Sequence, residues 1–162
     1  MSRAVVIMSG GDAATPFTTP AAGCRTGLAA GNTDTALREY LLGEGHQVYT
    51  APAQNGRGVV TDPDPESFGA FGGQPEVLAE QYTVNSDGDI DLAGEQLARF
   101  VALLHSRYGV TEVDFVGHSN GGLFARAAIR TMQLLAIPVR TRSLATLGTP
   151  WMGTFPLRWA FG

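Results

Sequence analysis

Six residues, Gly117-His118-Ser119-Asn120-Gly121-Gly122, set a serine among glycines directly after the apolar run Val113–Val116. The pattern predicts a strand, a sharp turn carrying Ser119, and then a helix. A Gly-x-Ser-x-Gly turn of this kind, a nucleophile elbow, lifts the hydroxyl out at the carboxyl end of the strand, where it can attack an acyl carbon. Side chains at Gly117 and Gly121 would crowd the strained turn and the strand–helix packing beside it. The competing reading is an ordinary glycine-rich β-to-α turn with an incidental serine.

A serine hydroxyl is unreactive near neutral pH until a base removes its proton, and that base is oriented by a carboxylate. In hydrolases built on this turn the chain order is Ser, then Asp or Glu, then His. After Ser119 the sequence carries no Asp, Glu or His up to Gly162. The three histidines are His46, His105 and His118. His118 adjoins Ser119, where consecutive side chains diverge. His105 falls beside the apolar stripe of a helix, and His46 precedes a strand at the expected amino end of the sheet. None of them is expected to serve as the base.

The other half of such chemistry is better provided. A tetrahedral intermediate needs backbone N–H donors aimed at its oxygen. One is expected from Asn120, and the other from Ser9-Gly10-Gly11 after an early strand, with Gly11 the preferred donor. A simple strand-ending turn is the alternative reading of that early segment. The helix beginning near Asn120 would add its positive end.

Remaining constellations point nowhere. Asn85, Asp87, Asp89 and Asp91 imitate a calcium loop, but the required glycine and late glutamate are out of register, so a turn and helix cap are expected there. No dinucleotide, phosphate-loop or zinc spacing occurs, and neither metal nor cofactor is expected. Cys24 stands alone and is read as a structural thiol. Trp151, Phe155, Trp159 and Phe161 form an aromatic tail, either uncovered core or the lining of an acyl pocket.

These residues need a scaffold, and the alternation of short apolar runs with helical periodicity predicts an α/β fold with a mostly parallel sheet flanked by helices. Ala4–Met8 reads as a strand buried on both faces. Residues 12–32 read as a long loop, capped by Asn32 or Thr33 into a helix to about Glu44 that gathers Leu37, Tyr40 and Leu41 on one side. Gln47–Ala51 is a second strand, and residues 52–88 show no sustained period. Asp91 is the expected cap of a helix to about Tyr108, with Ala93, Leu97, Phe100, Val101 and Leu104 as its buried stripe and Gly109 as its stop. Then come the strand Glu112–Gly117, a helix from Asn120 to about Leu135, and the strand Arg142–Leu147.

A chain of 162 residues with 44 % apolar and 16 % charged residues has a globular composition and is read as one domain, 1–162. A net charge of −4 with scattered basic residues gives no nucleic-acid footprint. No apolar run reaches the roughly 20 residues of a membrane span. The opening run Ala4–Met8 is shorter than a signal peptide requires, so no export signal is expected in this chain.

Together, Ala4–Gly11, Val113–Gly122 and Leu144-Ala145-Thr146-Leu147-Gly148-Thr149-Pro150-Trp151-Met152-Gly153-Thr154 resemble the lipase and esterase branch of the α/β-hydrolases. The last segment resembles the Leu-Gly-Thr-Pro-x-x-Gly-Thr/Ser turn of many bacterial lipases, and Thr15–Arg25 and Gly31–Tyr40 resemble a group of actinobacterial, generally secreted lipases. The resemblance implies Ser119 as nucleophile, Asn120 and Gly11 as oxyanion donors, and a small-molecule or lipid ester as substrate. It also implies the N-terminal part of that fold, with the acid and histidine beyond Gly162 or on a second chain. The expectation is therefore carboxylic ester hydrolysis through an acyl-Ser119 intermediate. Thioester or amide cleavage and acyl transfer are variants of it, and an inactive partial hydrolase domain serving as a binding module is the alternative.

Overall fold

A computed structural model describes residues 2–15, 17–18, 33–60 and 76–153 of the chain. Cys24, Asn32, Phe155, Trp159 and Phe161 lie outside what it describes, as does the side chain of Thr33, so the expected Asn32 or Thr33 cap falls there too.

The continuous apolar run after Arg3 forms β1 (Ser2–Met8), whose residues from Ala4 to Met8 are all buried. Burial on both faces requires cover on both faces, and two separate apolar layers supply it. On one face Val5, Ile7 and Val48 pack with Val116 and with Leu37, Leu41 and Leu42 of helix α1 (Thr33–Gly43). On the other, Ala4, Val6 and Met8 join the larger core, which includes Phe100, Leu104 and Phe115.

Strand β2 (Val48–Thr50) follows α1, and β5 (Val110–His118) and β6 (Arg140–Leu147) complete a four-stranded sheet in the order β2-β1-β5-β6. All three pairings are parallel. The result is the α/β architecture that the alternating pattern predicts, consistent with part of an α/β-hydrolase fold. Helices α2 (Ile90–Tyr108) and α3 (Gly121–Leu134) lie together on the larger-core face. All five residues of the expected α2 stripe are buried.

Two local readings are revised. The cap of α2 is Asp89 rather than Asp91: its carboxylate accepts the N–H groups of Asp91 at 2.9 Å and Leu92 at 3.1 Å. Asp89 is extended, so its side chain reaches the first helical turn, whereas Asp91 is already inside that turn. The stretches read as aperiodic are also partly ordered. Thr15 and Thr18 bridge antiparallel to Ala53 and Thr50, and β3 (Ala53–Gln54) pairs in parallel with β4 (Val84–Asn85). Phe17 is buried against Tyr49, Phe100 and Tyr108. No described helix is long and apolar enough to cross a membrane.

Candidate active site

Parallel pairing brings the carboxyl ends of β1 and β5 side by side, with Met8 opposite Gly117. The chain leaves each strand through a turn, Ser9-Gly10-Gly11 on β1 and Ser119-Asn120 on β5. Ser119 sits between β5 and α3 with φ +52°, a left-handed conformation that costs a non-glycine residue about 1–3 kcal/mol and persists only where its surroundings impose it. Here they do so from both sides. The Ser119 N–H donates to the Leu147 carbonyl at 2.8 Å, and the Thr149 hydroxyl donates to the Ser119 carbonyl at 2.9 Å.

The glycines make the turn fit. A Cβ built on Gly117 would lie 2.5 Å from Gly122 Cα, and one on Gly121 would lie 2.6 Å from the Ser9 carbonyl oxygen. At Gly122 it would meet the Thr149 methyl at 2.8 Å. Strand end, helix start and the β1 turn therefore touch backbone to backbone, with the Gly148-Thr149-Pro150 turn closing the far side.

Ser119 and the β1 turn are neighbours. A Cβ on Gly10 would stand 2.7 Å from Ser119 Cβ and 3.2 Å from its Oγ, and a Cβ on Gly11 would stand 3.1 Å from Asn120 Nδ2. Among the described residues, the backbone N–H groups of Gly10, Gly11 and Asn120 make no hydrogen bond. Asn120 is the residue before α3, and its side chain does not cap the helix. Three N–H groups without a hydrogen bond among the described residues, and a helix start, thus lie on the turns that carry and adjoin Ser119, an arrangement suited to negative charge.

The structure brings Ser119, Asn120, Gly11, Gly117 and Gly121 together. His118 belongs to the other face of the sheet. Residues of β5 alternate, so His118 follows Val116 toward α1, where its Nδ1 lies 3.6 Å from Oδ1 of Asp34. The second Asp34 oxygen accepts a 2.6 Å hydrogen bond from Ser9. His105 Nδ1 is 2.8 Å from the Val110 carbonyl oxygen, and His46 is exposed just before β2. Among the described residues no hydrogen bond reaches the Ser119 hydroxyl, and no group of three His, Cys, Asp or Glu side chains is placed to hold a metal.

Sequence reading passed over Gly10, although it lies within the segment singled out, because a donor and a close steric neighbour look alike in sequence. It also passed over Thr149, whose hydroxyl could have been suspected from its place in the Gly-Thr-Pro turn. Ser9 lay within the segment singled out but was given no role for its side chain, and nothing in the sequence marked Asp34.

No curated protein and no solved structure gives a match to this chain. Residues 76–158, just over half of it and a span that includes Ser119 and Thr149, match a family described as putative serine esterase (DUF676), and the chain belongs to that family.

Proposed function

We propose that this chain is the nucleophile-bearing part of a carboxylic ester hydrolase of lipase/esterase type, with Ser119 in a nucleophile elbow. The single observation that supports it most is the pairing of a left-handed Ser119 with three unbonded N–H groups on the turns around it. In this reading Ser119 Oγ attacks the ester carbonyl carbon while a base takes its proton. The carbonyl oxygen becomes an oxyanion held by the N–H of Asn120 and an N–H of the Gly10–Gly11 turn. Collapse expels the alcohol, which takes back a proton, and leaves acyl-Ser119. Water, activated by the same base, then releases the acid.

Among the described residues none of the three histidines is in position to act as the base: His118 faces Asp34, His105 faces the Val110 carbonyl, and His46 is exposed just before β2. The reading therefore assigns the base and its carboxylate to residues outside this sequence, on a longer chain or a partner. Substrates are small or lipid esters. Trp151, which lies over Arg126 with the guanidinium 5.7 Å from its ring, and the exposed Met152 lend an apolar surface to the neighbouring turn.

The test is covalent labelling by a fluorophosphonate, in which Ser119 Oγ displaces fluoride from phosphorus. Intact mass should show one adduct on the native chain and none on Ser119→Ala. Without its base a serine site keeps only the residual rate of its oxyanion donors, about 10⁴–10⁶ below a full triad, so labelling is followed over hours at high probe concentration. No Ser119-dependent adduct in a folded sample overturns the catalytic reading and leaves the inactive binding module.

A further inference from the structure

We propose that Asp34 is a positioning residue that clamps the two turns of the candidate site to one another from beneath the sheet. Asp34 occupies the first turn of α1 with its side chain only 7 % exposed. A buried carboxylate is costly unless it is paired and hydrogen-bonded. Its two oxygens face two different strands. Oδ2 accepts from Ser9, itself buried, at 2.6 Å, the short distance of a charge-assisted bond. Among the described residues Oδ1 is buried without a hydrogen bond, and it lies 3.6 Å from His118 Nδ1, too long for a direct hydrogen bond and within ion-pair reach.

Ser9 immediately precedes Gly10, and His118 immediately precedes Ser119. One carboxylate therefore holds the residue just before each half of the site. The layer between α1 and the sheet is built mainly of Val5, Ile7, Val48, Val116 and Leu37, with Arg38 buried one helical turn on from Asp34 and hydrogen-bonded to Thr18. A buried serine and aspartate there give up burial that hydrocarbon side chains would supply, and holding the two turns together is the gain that balances it.

The effect on Ser119 chemistry rests on the esterase reading, whereas the clamp itself does not. Two readouts separate them: fluorophosphonate labelling, and amide hydrogen exchange of the bonded elbow amides Ser119 and Gly122 against residues 93–104 of α2. Asp34→Ala should slow labelling by about tenfold or more, because small displacements of reacting groups are costly. It should also speed exchange of the Ser119 and Gly122 amides by about tenfold while α2 is unchanged. Asp34→Asn, which keeps an acceptor for Ser9, should restore part of both effects. Where Asp34→Ala does not fold, Ser9→Ala carries the test and should move both readouts in the same direction. Exchange of these two amides that stays within about twofold of the native chain, or rises equally in α2, overturns the clamp. If the native chain takes no label, the esterase reading fails and the exchange pattern alone decides the clamp.

Discussion

Between Gly10 and Ser119 there is no room for a methyl group: a Cβ on the glycine would stand 2.7 Å from the serine Cβ and 3.0 Å from the His118 carbonyl oxygen. Neither neighbour can swing aside. Ser119 is pinned at its N–H by Leu147 and at its carbonyl by Thr149, and the His118 carbonyl belongs to the strand. Gly10→Ala should therefore displace Ser119 rather than be absorbed. We expect fluorophosphonate labelling to fall about 100-fold, the scale of loss that misplacement of reacting groups produces. Far-ultraviolet circular dichroism should stay native, since Gly10 lies outside every helix and strand. Labelling at the native rate would show that the β1 turn does not bear on the serine.

Among the helices, close approach is set by a residue that propensity alone would call a defect. Gly94 lies inside α2, where glycine costs about 1 kcal/mol relative to alanine. Its Cβ would meet the α3 backbone, 2.8 Å from the Ala127 carbonyl carbon and 2.9 Å from the Ala128 nitrogen. Backbone cannot rotate away, so Gly94→Ala should destabilise the protein by about 1–3 kcal/mol despite the better helix former. Urea denaturation checks the sign, and a stabilised variant would mean that the helices separate freely. Where the physics is periodic, the elements are legible in sequence. The stripe Ala93, Leu97, Phe100, Val101 and Leu104 marks the buried side of α2, and Gly109, at φ +69°, ends it as expected. Gly94 was not legible, because its reason lies on another helix. The same holds for β3 and β4, which are two residues long and show no alternation. Asp89 and Asp91 are both good caps in isolation, and only the extended backbone at Asp89 decides between them.

Across the molecule as a whole, what was legible of the site are its segments continuous in sequence: Gly117 to Gly122, the Ser9-Gly10-Gly11 turn and the Gly148-Thr149-Pro150 turn. What was not legible is how sheet pairing sets them against one another, Gly10 against Ser119 and Thr149 against the Ser119 carbonyl, and that Asp34 of α1 lies beneath them. The same sheet carries a second cross-strand polar group that periodicity could not reveal. Asp114 of β5 accepts from Arg3 of β1 at 2.5 Å and from Ser143 of β6 at 2.6 Å, while Glu112 pairs with Arg140 and Arg142. Burial by itself pushes the Asp114 carboxyl up, but the hydrogen bonds from Arg3 and Ser143 and the nearby charges of Arg3 and Arg142 outweigh it and hold its pKa below the ordinary carboxylate value. Glu112 is likewise lowered, chiefly by its hydrogen bond from Arg140. A lowered folded-state value means that stability is gained above the unfolded pKa, about 3.9 for Asp and 4.3 for Glu, and lost as pH falls through the folded one. Melting temperature should therefore be flat near neutrality and drop as pH is taken below about 4. Asp114→Asn should melt lower than the native chain at pH 7, because it gives up the charged bond to Arg3. The gap should shrink as the pH is lowered below the ordinary carboxylate range and the native carboxyl takes up its proton. Thermal melts of the two proteins across that range decide it, and a gap that is the same at both ends would show that Asp114 acts by packing rather than by charge.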